Sequence, residues 1–206
     1  MPTIGKGLEL NFLEGQGIFA FGGVNATGGG DAPTIIYSRR IGLQGSTAVP
    51  IGFGGRLAGR VGRYSVGALN IGTDEMSPPK AAATNFTVLR VRRDVLQRSS
   101  VGALFTNRSV STVSPGSNQV FGVDANFAMS RDGSVAGYLA KSNTTRRTGD
   151  AISYRANFNY AADRYGAQLD RTVVGDNFNP EVGFAAANSM AARADMPRVS
   201  AASRPA

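Results

Sequence analysis

Phe121-Gly122-Val123-Asp124-Ala125-Asn126-Phe127-Ala128-Met129 carries an apolar side chain at each odd position and, Ala128 apart, a glycine or a polar side chain at each even one. Successive side chains of a β-strand point to opposite faces, so this spacing predicts a strand with one apolar face. On a helix, which repeats about every 3.6 residues, the same residues would be spread around the whole circumference. Two stretches downstream repeat the pattern. Ile152, Tyr154, Ala156, Phe158 and Tyr160 alternate with Ser153, Arg155, Asn157 and Asn159. Tyr165, Ala167, Leu169 and Val173 alternate with Gly166, Gln168, Asp170 and Thr172, with Arg171 the exception on the apolar side.

Upstream the alternation returns in Ile51, Phe53, Leu57 and Val61 against Gly52, Gly54, Arg56, Ala58 and Arg60, and in Val101, Ala103 and Phe105 against Ser100, Gly102, Thr106 and Arg108. Residues 64–73, 84–93 and 134–142 are β-like with less distinct faces, and 34–41 is a further short candidate. About nine strands and almost no helical periodicity predict an all-β chain, an antiparallel up-and-down meander of eight to ten strands forming a barrel or a barrel segment. The connections sharpen this. Short ones at 62–63, 94–97, 131–133 and 162–164 alternate with long ones at 74–82, 109–118 and 143–150. In a meander successive connections lie at opposite ends, so one rim holds short turns and the other long loops, as in outer-membrane barrels.

Strand lengths near the roughly 9–11 residues that cross a bilayer at a tilt agree with a transmembrane reading. Tyr64, Tyr160 and Tyr165 stand beside short turns, where an interfacial aromatic girdle belongs. The polar strand faces then surround an enclosed interior lined by Arg56, Arg60, Asp124, Asn126, Arg155, Asn157, Asn159, Gln168 and Asp170. Asp124 and Asp170 are the acids placed mid-strand on polar faces, and nothing in the spacing joins them as a catalytic pair. Their expected role is to pair with Arg155, Arg90, Arg92, Arg56 or Arg60.

The 206 residues contain no His and no Cys, which removes Ser-His-Asp triads, thiol nucleophiles and Cys/His zinc sites. No stretch approaches the roughly 18–20 apolar residues of a membrane helix. The Met1-Pro2-Thr3-Ile4-Gly5-Lys6-Gly7 start lacks the apolar centre of a signal peptide. A net charge of +8, with Arg90, Arg92, Arg93 and Arg98 close together, raises nucleic-acid binding. Aromatic interleaving for base stacking is missing, so no nucleic-acid partner is expected. The runs Gly28-Gly29-Gly30 and Gly52-Phe53-Gly54-Gly55 fit no phosphate-binding loop. Asp74 and Glu75 read as a solvated polar loop in preference to a cation site. No cofactor, metal or enzymatic activity is expected. Residues 1–32 read as loop and short hairpin, 33–184 as the barrel region, and 185–206, rich in Ala, Ser, Arg and Pro, as a disordered tail.

Particular motifs add a resemblance. Asn11-Phe12-Leu13-Glu14-Gly15, followed by Ile18-Phe19 and Phe21-Gly22, resembles the Phe-Phe-Leu-Glu-Gly and Phe-x-Phe-Gly opening of a bacterial domain-of-unknown-function family. Further segments resemble that family in order: Tyr37-Ser38-Arg39-Arg40-Ile41-Gly42, Thr84-Asn85-Phe86 with Leu89-Arg90-Val91, Arg98-Ser99-Ser100-Val101-Gly102, and Val174-Gly175-Asp176-Asn177-Phe178-Asn179-Pro180-Glu181-Val182-Gly183-Phe184. The resemblance implies the C-terminal outer-membrane barrel region of longer bacterial proteins, behind a domain similar to carbohydrate-binding family nine. It implies the bacterial outer membrane as the location of the full-length protein, with outer-membrane lipid and the remaining barrel strands as partners, and a link to glycans or nutrient uptake. It brings no catalytic residues. The chain departs from the family at Asn11, and at Ala185-Ala186-Ala187, where a basic and aromatic continuation is expected. It also lacks the carbohydrate-binding-like domain, so it reads as a fragment, and an incomplete barrel leaves two unpaired strand edges.

The functional expectation is a component of an outer-membrane barrel, a passive pore or import channel for small solutes or glycans. Its rival is a soluble β-sandwich or barrel that binds a carbohydrate-type ligand, with the apolar faces turned inward onto a core.

Overall fold

Alternating sequences of this kind build strands, and the computed structural model contains them in an unbroken row. It describes residues 16–22, 33–37, 40–44, 47–77, 81–162, 165–183 and 200–203. A one-turn helix α1 (Gln16–Phe19) and a small hairpin of β1 (Leu43–Gln44) and β2 (Thr47–Ala48) precede the main sheet. The sheet comprises β3 (Ile51–Val61), β4 (Tyr64–Thr73), β5 (Thr84–Leu96), β6 (Ser99–Arg108), β7 (Asn118–Ala128), β8 (Gly133–Thr144), β9 (Ile152–Ala161), β10 (Tyr165–Val174) and β11 (Ser200–Ser203). Each strand pairs antiparallel with its sequence neighbours, in the order β3 to β11, so the chain is an all-β up-and-down meander. Among the described residues β3 and β11 each pair on one side only, and the sheet does not close.

The tight β3–β4 turn depends on Gly62 at φ 60°, a left-handed conformation open to glycine without a Cβ clash. Arg98 adopts the same region in the β5–β6 turn. Short turns lie at one rim and the longer connections 74–83, 109–117 and 145–151 at the other.

The register separates two faces. On one, here the covered face, Leu69, Val88, Thr106, Val120 and Ser142 form one row, and Ile71, Phe86, Arg108, Asn118 and Thr144 the next. These residues are buried because Phe21, Ile35, Ile36, Ile41, Phe178 and Val182 pack on them, forming a core toward the long-loop rim. The opposite, bare face presents Leu57, Leu89, Val91, Phe121, Val123, Leu139 and Tyr154 exposed. Phe127 pairs with Val135, Val135 with Phe158, and Phe158 with Leu169 across this face. Phe127 is 37% and Leu169 41% exposed, so no second layer covers them among the described residues.

The candidate strand at 34–41 does not form among the described residues. Ile35 and Ile36 are both buried, and consecutive residues cannot both face the core from a strand, so the chain runs there as an irregular cover over the sheet. Within the N-terminal segment expected to be loop and short hairpin, residues 16–19 are the helical turn α1. Residues 1–15, the Gly-rich stretch 23–32 and most of the tail expected over 185–206 lie outside the described residues; within the tail, Ser200–Ser203 pair with β10 as β11.

Candidate functional site

Strand parity and register bring the nine polar residues onto one face. Arg56 and Arg60 on β3 face the same way as Leu69 and Ser65, their partners on β4. The row Ser65, Arg92, Gly102, Asp124, Tyr138, Arg155 and Thr172 crosses seven strands. The neighbouring row Asp94, Ser100, Asn126, Ala136, Asn157 and Asp170 crosses six, and Ser134, Asn159 and Gln168 continue toward the short turns. The covered face thus holds the packed core, with buried Arg108, Asn118, Ser142 and Thr144 among its apolar side chains, near the long loops and is polar toward the short-turn rim.

Three carboxylates, each engaged by arginine, organise the polar half. Arg90, 1% exposed, reaches from β5 past β6 to Asp124 on β7, with Nη1–Oδ1 at 2.5 Å and Nη2–Oδ2 at 2.8 Å. Planar guanidinium and carboxylate match in this two-pronged geometry. The reach across a strand is possible because β6 has a glycine there. A Cβ on Gly102 would stand 2.6 Å from Arg90 Nη1 and 2.8 Å from Asp124 Oδ1. Arg155 grips Asp170 in the same forked manner, and the Asn157 amide donates to Asp170 Oδ2 at 2.9 Å. Arg60 Nη2 donates to Asp94 Oδ2 at 2.5 Å, and Arg92 Nε stands 3.9 Å from the other oxygen. Asp124 and Asp170 each have their own arginine, on strands three apart, an arrangement suited to electrostatic support and not to paired acid–base chemistry.

The N-terminal segment locks onto this network. Arg90 Nη2 donates to the Ala20 carbonyl at 2.9 Å, and the Gly22 N–H donates to Asp124 Oδ2 at 3.2 Å. Phe21 lies against the Tyr138 ring, centroids 5.4 Å apart, and under the Arg90 guanidinium at 5.3 Å. Glycines on the covered face make room for it. A Cβ on Gly67 would stand 2.9 Å from Ile18 and Phe19, and one on Gly122 would stand 2.5 Å from Phe21 Cζ. The segment therefore seats over Gly67 and Gly122, with Arg90 and Leu104 between them in the same register row.

No family model, curated protein or solved structure matches this chain. Among the described residues no group of three or more metal-ligating side chains occurs, and Asp74 and Glu75 are exposed. No described helix is long and apolar enough to cross a membrane, which bears only on helical spans.

A second polar centre escaped sequence reasoning. Glu181, 1% exposed, accepts from Ser111 Oγ at 2.6 Å, the Thr112 N–H at 2.9 Å and Asn179 Nδ2 at 3.0 Å, and faces Arg108 Nε at 3.7 Å. Asn118 ties the same turn down by donating to the Asn179 carbonyl at 2.8 Å. This carboxylate anchors residues 175–183 over the long-loop end of the sheet. The available signal was an acid set among apolar residues, Pro180-Glu181-Val182, since a buried charge demands partners.

The arginine cluster also resolves differently from its sequence appearance. Alternation sends Arg90 and Arg92 to the covered face and Arg93 to the bare face, where its guanidinium lies 5.3 Å from the Tyr64 ring centre. Four near-neighbours in sequence are thus divided between the two faces and the β5–β6 turn. On the bare face Tyr64, Tyr160 and Tyr165 are all exposed at the short-turn end. Asn70, Thr87, Asn107, Gln119 and Asn143 form a polar row near the opposite rim, with Asn70 donating to Thr87 Oγ1 at 2.8 Å. Between the tyrosines and this row the bare face is apolar apart from Arg93, Lys141 and Arg171.

Proposed function

We propose that the chain is a strand region of an outer-membrane β-barrel, a passive pore or import-channel component, with the bare face in lipid and the polar half of the covered face lining the interior. The observation that carries this reading is the side on which the apolar residues stand. Leu57, Val61, Leu89, Val91, Phe121, Val123, Leu139 and Leu169 are exposed across a whole sheet face, with Leu57 at 69% and Val61 at 76%. Monomeric soluble proteins rarely leave apolar patches beyond a few hundred Å² uncovered. The band has bilayer proportions: from Ile152 to Tyr160 on β9 the strand rises ~27 Å, and a tilt near 40° turns that into about 20 Å, close to the ~25 Å apolar height of such barrels. The polar row at one rim and the tyrosines at the other bound it.

The soluble sandwich needs a second sheet over the apolar side, and among the described residues the other sheet is the two-stranded β1–β2. The resemblance of the motifs to an outer-membrane family supports the same reading independently. Neighbouring positions on β9 provide the test, since the chain has no native cysteine. After refolding into lipid vesicles, Asn157→Cys should react with a water-soluble maleimide and Phe158→Cys should resist it while reacting with a lipid-soluble one. Reversed labelling would overturn the orientation. A chain that stays monomeric and folded in plain buffer would favour the sandwich.

A further inference from the structure

We infer that the short-turn rim beneath β3–β6 is a binding site for an anionic phospholipid, its phosphate held by Arg63, Arg93 and Arg98 and an acyl chain lying on the adjoining apolar face. The inference rests on the membrane reading above and names a specific lipid partner for it. Charge is unevenly spread along this rim. The β3–β4 and β5–β6 hairpin ends hold Arg60, Arg63, Arg92, Arg93 and Arg98 with Asp94 as the acid among them, whereas the β7–β8 turn balances Arg131 with Asp132. Asp94 is engaged on the covered side by Arg60 and Arg92. The positive charge of Arg63, Arg93 and Arg98 is therefore not offset locally.

The two turns are neighbours, because the Asp94 N–H donates to the Arg63 carbonyl at 2.9 Å. Arg63, Arg93 and Arg98 are exposed, and Arg93 stands over the Tyr64 ring. Directly along the bare face from Arg93 lies a shallow, open depression of about 610 Å³ lined by Val91, Val101, Ala103, Val123, Gly137 and Leu139. An amphipathic ligand with a negative head and a hydrocarbon tail matches this arrangement end for end. A nucleic acid matches only the arginines, and it has no use for a greasy trough leading away from them. Guanidinium groups also suit phosphate better than a diffuse positive field would, since they donate paired hydrogen bonds.

The test uses the full chain refolded into phosphatidylcholine vesicles containing traces of spin-labelled phosphatidylglycerol or spin-labelled phosphatidylcholine. Electron paramagnetic resonance reports the fraction of each label held immobile. Wild type should immobilise phosphatidylglycerol in preference, and each of Arg63→Gln, Arg93→Gln and Arg98→Gln should weaken that preference by up to roughly fivefold. Arg131→Gln, at the balanced turn, should leave it unchanged. Raising salt from 0.1 to 1 M should erase the preference, a readout that needs no variant. Equal immobilisation of both lipids overturns the inference, as does an equal effect of Arg131→Gln. Binding of a single-stranded oligonucleotide through the same arginines, with no phosphatidylglycerol preference, would assign the patch to nucleic acid instead. Failure of the chain to enter vesicles at all refutes the membrane reading itself, a result distinct from insertion without lipid preference.

Discussion

The Arg90–Asp124 pair offers the most demanding check on how the interior is held. Arg90→Met would leave the Asp124 carboxylate, 12% exposed, with the Gly22 N–H at 3.2 Å. Asp124→Leu would leave a buried guanidinium with the Ala20 carbonyl at 2.9 Å. Removing one member of a buried pair costs about 3–5 kcal/mol, because the survivor keeps its desolvation penalty without its partner. If the two losses were independent, the double variant would be destabilised by about 6–10 kcal/mol, more than many domains possess. Removing both charges together eliminates both penalties, so Arg90→Met/Asp124→Leu is expected to cost no more than about 3 kcal/mol, chiefly from repacking around Gly102 and Phe21. The coupling energy should therefore exceed about 3 kcal/mol. Urea unfolding of detergent-refolded protein, followed by far-ultraviolet circular dichroism because the chain has no tryptophan, measures all four corners of the cycle. Additivity within about 0.5 kcal/mol would refute the idea that the pair acts as a unit across Gly102.

Val123→Arg places a charge at the centre of the bare face and should cost about 2–4 kcal/mol in a bilayer, where a water-exposed surface site would change by about 0.5 kcal/mol at most. Unfolding in phospholipid bilayers distinguishes the two, and a near-zero loss would place that face in water. Glu181→Gln puts an amide donor toward the Thr112 N–H or Ser111 and leaves Arg108 without its counter-charge, so a loss of about 2–4 kcal/mol is expected. Hydrogen exchange should quicken at the Thr112 amide while β9 and β10 are unchanged; a uniform change across the sheet would argue against a local anchor.

Several features are legible in the amino-acid sequence. Phe121 to Met129 and Ile152 to Tyr160 announced strands because alternation is a local property, needing no knowledge of neighbours. The placement of Arg56, Arg60, Asp124, Asn126, Arg155, Asn157, Asn159, Gln168 and Asp170 on one face was equally accessible, since parity within each strand and antiparallel pairing between strands determine it. The strands over 64–73 and 84–93 were less distinct in sequence because their covered faces change from apolar to polar along their length, and that over 134–142 because its covered face mixes Ser134, Ala136, Tyr138, Ala140 and Ser142. Leu69 and Ile71 serve the packed half, while Ser65 and Gly67 lie nearer the short turns. The residues 34–41 misled for the opposite reason: β-branched isoleucines suit strands, yet here they fill a core from an irregular segment.

Chain order alone settled the strands, their antiparallel meander and the division of each strand into a greasy and a polar side, because side-chain direction repeats every two residues wherever the chain is extended. Three-dimensional packing settled which arginine meets which acid. Asp124 has Arg155 two strands away on its own register row and nevertheless pairs with Arg90, because a missing side chain at Gly102 opens the path from β5 while Tyr138 fills the space on the other side. Packing likewise decided that residues 18–22 lie over Gly67 and Gly122 and that Glu181 is buried, with hydrogen bonds joining segments 63 to 102 positions apart. Such contacts depend on what occupies the intervening space, and no periodicity within a single strand encodes that.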